Sequence, residues 1–123
     1  MPELPELELL RRDLDREIGE RKIKSVEVPV AGIVKQPTKK ALITALEGAK
    51  LTGVTRRGML LLIGIEGTHL LVVSLGDLTR LTRNQPKDDN APGTAFVLSF
   101  TQGGQLRIID PKKQATVEYV AAE

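Results

Sequence analysis

Apolar residues near the start of the chain recur at steps of three and four. The members of this series are Leu7, Leu10, Leu14 and Ile18. Residues with this spacing share one face of an α-helix, and charged residues fill the positions between them. The pattern predicts an amphipathic helix that ends at Gly19, with Pro5 tolerated in its first turn.

A strand and a second helix follow in the apolar pattern. Residues 21–30 contain valines at every second position from Val26 to Val30, which is typical of a strand with one buried face. Residues 36–48 predict a helix with Thr38 as its N-cap and Gly48 at its end. The residues expected to face inward are Leu42, Ile43 and Leu46.

Short apolar runs separated by glycine-containing turns make up the rest of the chain. They lie at residues 50–55, 59–65, 69–75, 94–100, 105–109 and 116–120. The run 59–65 is almost continuously apolar, which favours a strand covered on both faces. Residues 85–93 are polar with two prolines and predict a mobile loop. We expect an α+β fold that is mostly β, a two-layer β-sandwich of seven or eight strands with two flanking helices.

Length and composition limit the possibilities further. The 123 residues suffice for a single domain, 1–123, and 41% hydrophobic with 28% charged residues is ordinary for a globular protein. No apolar run reaches the roughly 18 residues that span a bilayer, and the acidic start lacks a secretory signal pattern, so we expect a cytoplasmic protein without a membrane partner. Without cysteine and with His69 as the only histidine, we expect neither a metal site nor a cofactor.

The charge is unevenly distributed although the net charge is only +2. Residues 1–20 hold three basic and seven acidic residues, a balance of −4, whereas residues 21–57 hold nine basic and two acidic residues, a balance of +7. Such a basic segment can bind phosphates or serve simply as a solvated surface. The few aromatic residues make stacking on single-stranded bases a poor explanation.

The first residues, Met1 to Glu8, carry the candidate chemistry. Removal of Met1 would make Pro2 the amino terminus, a secondary amine that titrates near ~8 and can attack an electrophilic carbon such as a sugar C1′. Glu3 and Glu6 could then donate a proton, accept one or position water. The dipole of the following helix would lower the pKa of this amine. The alternative interpretation is that Pro and Glu alternate here only because a helix begins.

Four motifs resemble the formamidopyrimidine-DNA glycosylase/endonuclease VIII family. The opening Met-Pro-Glu-Leu-Pro-Glu with its later Arg-Arg pair is the most specific of them. Residues 54–58 with the following apolar run resemble the family's Arg-Arg turn and strand. Residues 74–76 stand where the family has His-Leu-Gly, and residues 110–113 where it has Asp-Pro-Arg-Arg.

The resemblance implies the fold of that family's N-terminal domain and a role in base-excision repair. It implies a DNA glycosylase and abasic-site lyase that acts through a Schiff base on Pro2, with acidic groups at Glu3 and Glu6. The cationic residues expected to contact DNA are Arg56, Arg57, Lys112 and Lys113. The family's helix-two-turns-helix module and zinc finger belong to a C-terminal half. We therefore expect weak binding of damaged or abasic DNA by this domain alone, or a separate chain that supplies the other half.

Several positions depart from the family pattern. Met59 stands where the family has a lysine, Asp77 replaces an apolar methionine, and Gln114 replaces a phenylalanine. Residues 92–95 replace a Lys-His-Asp-His stretch. These changes remove charge and apolar wedges that support base flipping, so we expect weakened activity. The alternative function is a non-catalytic binding or interaction module that has lost its grip on DNA.

Overall fold

The computed structural model describes the backbone of residues 4–121 and the side chains of residues 5–121. Two α-helices, α1 (Leu4–Ile18) and α2 (Lys39–Leu46), and one short 3₁₀ turn, Ala31–Ile33, lie within this part of the chain. The nine strands found there are β1 (Ile23–Glu27), β2 (Val34–Gln36), β3 (Leu51–Arg57), β4 (Leu60–Ile65), β5 (His69–Ser74), β6 (Arg80–Asn84), β7 (Thr94–Phe100), β8 (Gln105–Ile109) and β9 (Thr116–Ala121).

The strands form two sheets that share one core. One sheet has the order β1-β7-β8-β6 and the other the order β2-β9-β5-β4-β3. The pairing is antiparallel except between β2 and β9. Both sheets and both helices contribute to a single apolar cluster. The predicted α+β fold, mostly β and built as a two-layer sandwich with two helices, is confirmed, and β2 and β6 are strands that the sequence pattern missed.

The outer faces of the two sheets differ in what covers them. On β4, Leu61 and Ile63 are buried, but Leu60 is exposed and Leu62 only half-buried, so the prediction of a strand covered on both faces is wrong. By contrast, β7 and β8 are buried along their whole length. Their outer side lies under the polar loop at residues 85–93, which contains no helix or strand, as predicted.

Arg107 holds that loop against β8. Its guanidinium donates hydrogen bonds to the backbone carbonyls of Gln85, Asp88 and Asp89 at 2.9 to 3.2 Å, and to Gln105 Oε1 at 2.9 Å. Arg107 is buried, and all four of these acceptors are uncharged oxygens. A buried cation is tolerated only when its donors are satisfied, so these bonds explain how Arg107 can lie in the interior.

Helix α1 is fastened to the edge strand β3 at Val54. The Val54 N–H donates to Asp15 Oδ1 at 2.8 Å, and Arg11 Nη1 donates to the Val54 carbonyl at 3.2 Å. Gly53 sits beside this contact with φ of +134°, which favours glycine, and a Cβ there would lie 3.3 Å from Asp15 Oδ1. The helix ends before Gly19, as predicted, and its apolar face packs into the core.

Helix α2 has the predicted N-cap Thr38 but is shorter than the predicted range 36–48, because Gln36 belongs to β2. The Ala41 N–H donates to the Thr38 side chain at 3.2 Å, the expected N-cap bond. Gly48 follows with φ of +86°. Among residues 4–121, neither helix is long and apolar enough to cross a membrane.

Candidate functional site

Three turns meet at one end of the sandwich. Leu60 pairs with both Arg57 and Ser74, and Ser74 pairs with Thr116, so the β3–β4 turn, the end of β5 and the start of β9 lie side by side. Arg80 pairs with Ile109, which brings the start of β6 to the end of β8 at the same place. We call residues 57–60, 74–80 and 110–116 the turn end of the sandwich. It contains three of the four cations predicted to contact DNA.

The N-terminal part of α1 reaches the neighbourhood of this end. Glu8 Oε1 accepts a hydrogen bond from Arg56 Nε at 3.0 Å, and Arg56 is the next residue before the turn end. Leu4, where the description begins, precedes Glu8 by about one helical turn, roughly 6 Å. Glu6 lies exposed in this first turn. Pro2 and Glu3, the other two predicted catalytic residues, lie outside the described residues.

Arg56 is engaged within the protein. Besides the bond to Glu8, its Nη1 donates to the Gly58 carbonyl at 2.8 Å. The sequence suggested Arg56 as a DNA contact, yet two of its three nitrogens bond to protein acceptors. Arg57 differs, since it is exposed at the end of β3. The two arginines of the motif therefore have different surroundings.

Glu8 is the functional candidate that the sequence analysis missed. Hydrogen bonds from Arg11 and then Arg56, with a further one from Arg12, lower the pKa of its carboxyl from 4.5 to about 2. The spacing of Glu8 to Arg11 and Arg12, three and four residues, could have indicated two of these pairs. The pair with Arg56 spans 48 positions and has no such local signal.

Asp110 connects two of the turns at the turn end. It is buried, and its carboxylate accepts hydrogen bonds from the Thr79 hydroxyl at 3.0 Å and from the backbone N–H groups of Gln114 and Ala115 at 3.1 and 2.9 Å. Thr79 Oγ1 in turn accepts from the Gly76 N–H at 2.8 Å. These bonds show that Asp110 shapes the turn that follows β8.

Lys112 and Lys113 are exposed on the turn that Asp110 holds. Lys113 has φ of +54°, an unusual conformation for a residue with a Cβ.

Next to these lysines, the Asp77 N–H donates to Gln114 Oε1 at 3.1 Å, so the two positions that depart from the family's apolar pattern contact each other. Leu78, between Asp77 and Thr79, has 54% of its surface exposed, an apolar feature that the sequence analysis did not single out.

The remaining predicted and departing positions are less favourable for contact with a ligand. Thr94 and Ala95 are buried, so half of the stretch that replaces Lys-His-Asp-His cannot reach the surface. His69 begins β5 and stacks on Tyr119, with ring centroids 4.7 Å apart. Within residues 4–121, His, Asp and Glu form no group of three that could hold a metal ion.

Comparison with known proteins gives one consistent result. The model of the formamidopyrimidine-DNA glycosylase N-terminal domain matches residues 1–117. The formamidopyrimidine-DNA glycosylase of Moorella thermoacetica is 37% identical over 123 residues, which are all of this chain and 44% of that protein. The protein of the same name from Shouchella clausii is 34% identical over 122 residues, 98% of this chain and 44% of that protein. The chain therefore spans less than half the length of these relatives.

Solved structures agree with the sequence relatives. The crystal structure of Lactococcus lactis FPG in complex with a FAPY-dG-containing DNA superposes with a TM-score of 0.92 at 28% identity. It covers 97% of this chain and 44% of that one. A complex of the same Lactococcus protein with a THF-DNA and an inhibitor superposes with a TM-score of 0.93. The fold of the described chain is thus the fold of one half of these proteins.

Proposed function

Because the chain belongs to the formamidopyrimidine-DNA glycosylase family through its N-terminal domain, we propose that it removes damaged bases and cleaves abasic sites in base-excision repair, in the cytoplasm. The observation that carries the proposal is the position of α1, whose N-terminal turn lies beside the cationic turn end of the sandwich. A nucleophile at the start of this helix would face a DNA strand bound there.

The chemistry begins at Pro2. With Met1 removed, the neutral amine attacks C1′ of the damaged nucleotide, an N–C1′ bond forms, and the bond from C1′ to the base breaks. The base leaves with a proton, which Glu3 supplies. The nitrogen then loses its own proton, the C1′–O4′ bond breaks as O4′ takes up a proton, and the opened sugar remains attached as an iminium. At an abasic site the aldehyde condenses with the same amine and releases water. Loss of a C2′ proton to a base such as Glu6 then breaks the C3′–O bond by β-elimination.

The helix that follows Pro2 supports this role electrostatically. The N-terminus of a helix carries partial positive charge, which disfavours protonation of an amine placed there. A lowered amine pKa leaves more of the nucleophile neutral at physiological pH. Glu6, exposed in the first turn, is available to accept a proton.

The exposed cationic side chains of the turn end would contact the DNA backbone. Arg57, Lys112 and Lys113 would each neutralise a backbone phosphate. Met59 and Asp77 supply neither the family's cation nor its apolar wedge, so we propose weak activity on intact duplex lesions. An abasic site demands less, because no base has to be flipped out.

The relatives are longer than this chain, and their additional half is relevant to how DNA would be bound. This chain covers 44% of them, and we propose that the half without a counterpart here completes the cleft, in the same polypeptide or as a separate chain. Adding the corresponding half of the Moorella protein in trans should increase cleavage of duplex DNA that carries a lesion. Unchanged cleavage would argue against a two-part grip.

Borohydride trapping on abasic DNA tests the chemistry directly. The chain should form a covalent adduct, and the adduct should disappear when one extra residue before Pro2 converts its amine into an amide. Absence of an adduct at every protein concentration would instead favour the non-catalytic binding module. The contact between Asp77 and Gln114 at the positions of the family's wedges is the observation that favours this second function.

A further inference from the structure

We infer that Glu8 is a positioning residue, which pairs with Arg56 to fix the first turn of α1 against the β3–β4 turn and so sets the place of the residues that precede it. The inference rests on the proposed function of those residues. It assigns to Arg56 a role inside the protein in place of the predicted phosphate contact.

Glu8 is paired with arginines from two different elements. Arg11 and Arg12 reach it from within α1, with the shortest distances 2.9 Å from Arg11 Nη2 and 3.1 Å from Arg12 Nε. Such pairs at three- and four-residue spacing stabilise the helix itself. Arg56 comes from β3, at 3.0 Å, and this bond adds nothing to the helix as such. The Arg56 bond is therefore a tertiary connection.

The low solvent exposure of the Glu8–Arg56 ion pair favours a stable contact. Both side chains are largely shielded, with 28% and 27% of their surface exposed, whereas the Arg16–Asp13 pair farther along α1 has 74% and 43% exposed. Shielded pairs are screened less by water and salt than exposed ones. The first pair can thus hold two elements together, while the second belongs to the helix surface.

Arg56 transmits the position of Glu8 to the turn. Its planar guanidinium bonds to Glu8 through Nε and to the Gly58 carbonyl through Nη1, so helix and turn share one rigid group. A lysine offers a single nitrogen and could not span both acceptors in the same way. Displacement of the helix start would therefore have to displace the β3–β4 turn as well.

The rest of α1 has a separate attachment. Asp15 and Arg11 bond to the backbone of Val54, and the apolar face of the helix is buried in the core. Loss of the Glu8 carboxylate should accordingly leave the helix folded and attached. Only its first turn should move more freely, and small misplacements of reacting groups can reduce rates by about 100-fold.

The test compares Glu8→Gln with Asp13→Asn, which removes an equivalent charge from an exposed pair on the same helix. We expect Glu8→Gln to slow single-turnover borohydride trapping of abasic DNA at least 10-fold, with affinity for the same DNA changed less than 3-fold. Asp13→Asn should change neither quantity by more than 2-fold. Arg56→Gln should slow trapping as much as Glu8→Gln, and the double variant should be no slower than either, because coupled residues are not additive.

Amide hydrogen exchange gives a second readout that does not depend on catalysis. The amides of residues 8–11 bond to the carbonyls of the first helical turn, and their protection should fall in Glu8→Gln and remain in Asp13→Asn. Residues 14–18 should stay protected in both variants. Two results would overturn the inference. One is a double variant whose trapping rate falls by the product of the two single losses. The other is a loss of DNA affinity in Arg56→Gln as large as its loss of trapping rate. If the wild-type chain traps no abasic DNA, the proposed function fails. The positioning role is tested separately, and it fails if amide exchange in Glu8→Gln equals that of wild type.

Discussion

The Thr79 hydroxyl donates a hydrogen bond of 3.0 Å to Asp110 Oδ1, and this contact joins the turn after β5 to the turn after β8. Thr79 also accepts from the Gly76 N–H, so three residues from two turns form one chain of hydrogen bonds. Buried polar groups with all their partners in place define a single arrangement. The turn that carries Lys112 and Lys113 is thus held by residues elsewhere in the chain.

The close approach of these turns makes Gly76 sensitive to substitution. A Cβ at this position would overlap with Cβ of Gln114, so Gly76→Ala should force the turns apart. We expect the free energy of unfolding to fall by about 1–3 kcal/mol, the usual cost of overpacking, as measured by urea denaturation.

Gly32→Ala is the matched control for Gly76→Ala. Beyond the adjoining backbone, no atom lies within 4 Å of a Cβ built there. Its unfolding free energy should stay within about 1 kcal/mol of wild type, with stabilisation the expected sign. Equal losses for the two variants would show that contact with Gln114 does not explain the requirement for glycine.

Local patterns in the sequence predicted most of the fold. The spacing of apolar residues located α1 up to Gly19, and Thr38 marked the start of α2. The strand β6 was missed because Leu81 is its only buried apolar residue, and its place depends on pairing with β8. The three-residue β2 likewise depends on its partner β9, about 80 positions away. Strands of this kind carry no periodic signal of their own.

The candidate site was predictable only in part. Resemblance of the motifs brought Arg57, Lys112 and Lys113 together, and the structure places them at one end of the sandwich. Pairing between Glu8 and Arg56 is a long-range contact that neither motif nor spacing reveals. The sequence also did not predict that the polar loop at residues 85–93 covers β8. Composition marks this loop as exposed, whereas Arg107 is buried beneath it.

Arg107→Met tests how that loop is held. The variant keeps much of the side-chain volume but leaves the carbonyls of Gln85, Asp88 and Asp89 without these donors. We expect a loss of about 2–4 kcal/mol in the free energy of unfolding and faster proteolysis within residues 85–93. Arg80→Met, at an exposed position of β6, should change both measurements little. Similar proteolysis of the two variants would contradict the anchoring role of Arg107.

The Glu8 carboxyl should make the stability of the domain depend on acid pH. Arg11, Arg56 and Arg12 lower its folded-state pKa from 4.5 to about 2. A lowered pKa stabilises the folded state above the unfolded-state value, and this contribution is lost as the pH falls through the folded-state value. The melting temperature of wild type should therefore exceed that of Glu8→Gln most above pH 5, and the difference should shrink towards pH 2. A difference that stays constant over this range would exclude the ionised carboxylate as its source.

Lys113 allows stability and DNA binding to be separated. Its φ of +54° disfavours residues with a Cβ by about 1 kcal/mol, so Lys113→Gly should unfold with an equal or slightly higher free energy than wild type. The same variant should bind abasic-analogue DNA more weakly, with a salt dependence of log K reduced by about 0.9 for one lost phosphate contact. Lys112→Gly lacks the conformational benefit, so it should lose a similar phosphate contact and also some stability. An unchanged salt dependence in Lys113→Gly would show that this side chain does not neutralise a phosphate, whatever its effect on folding.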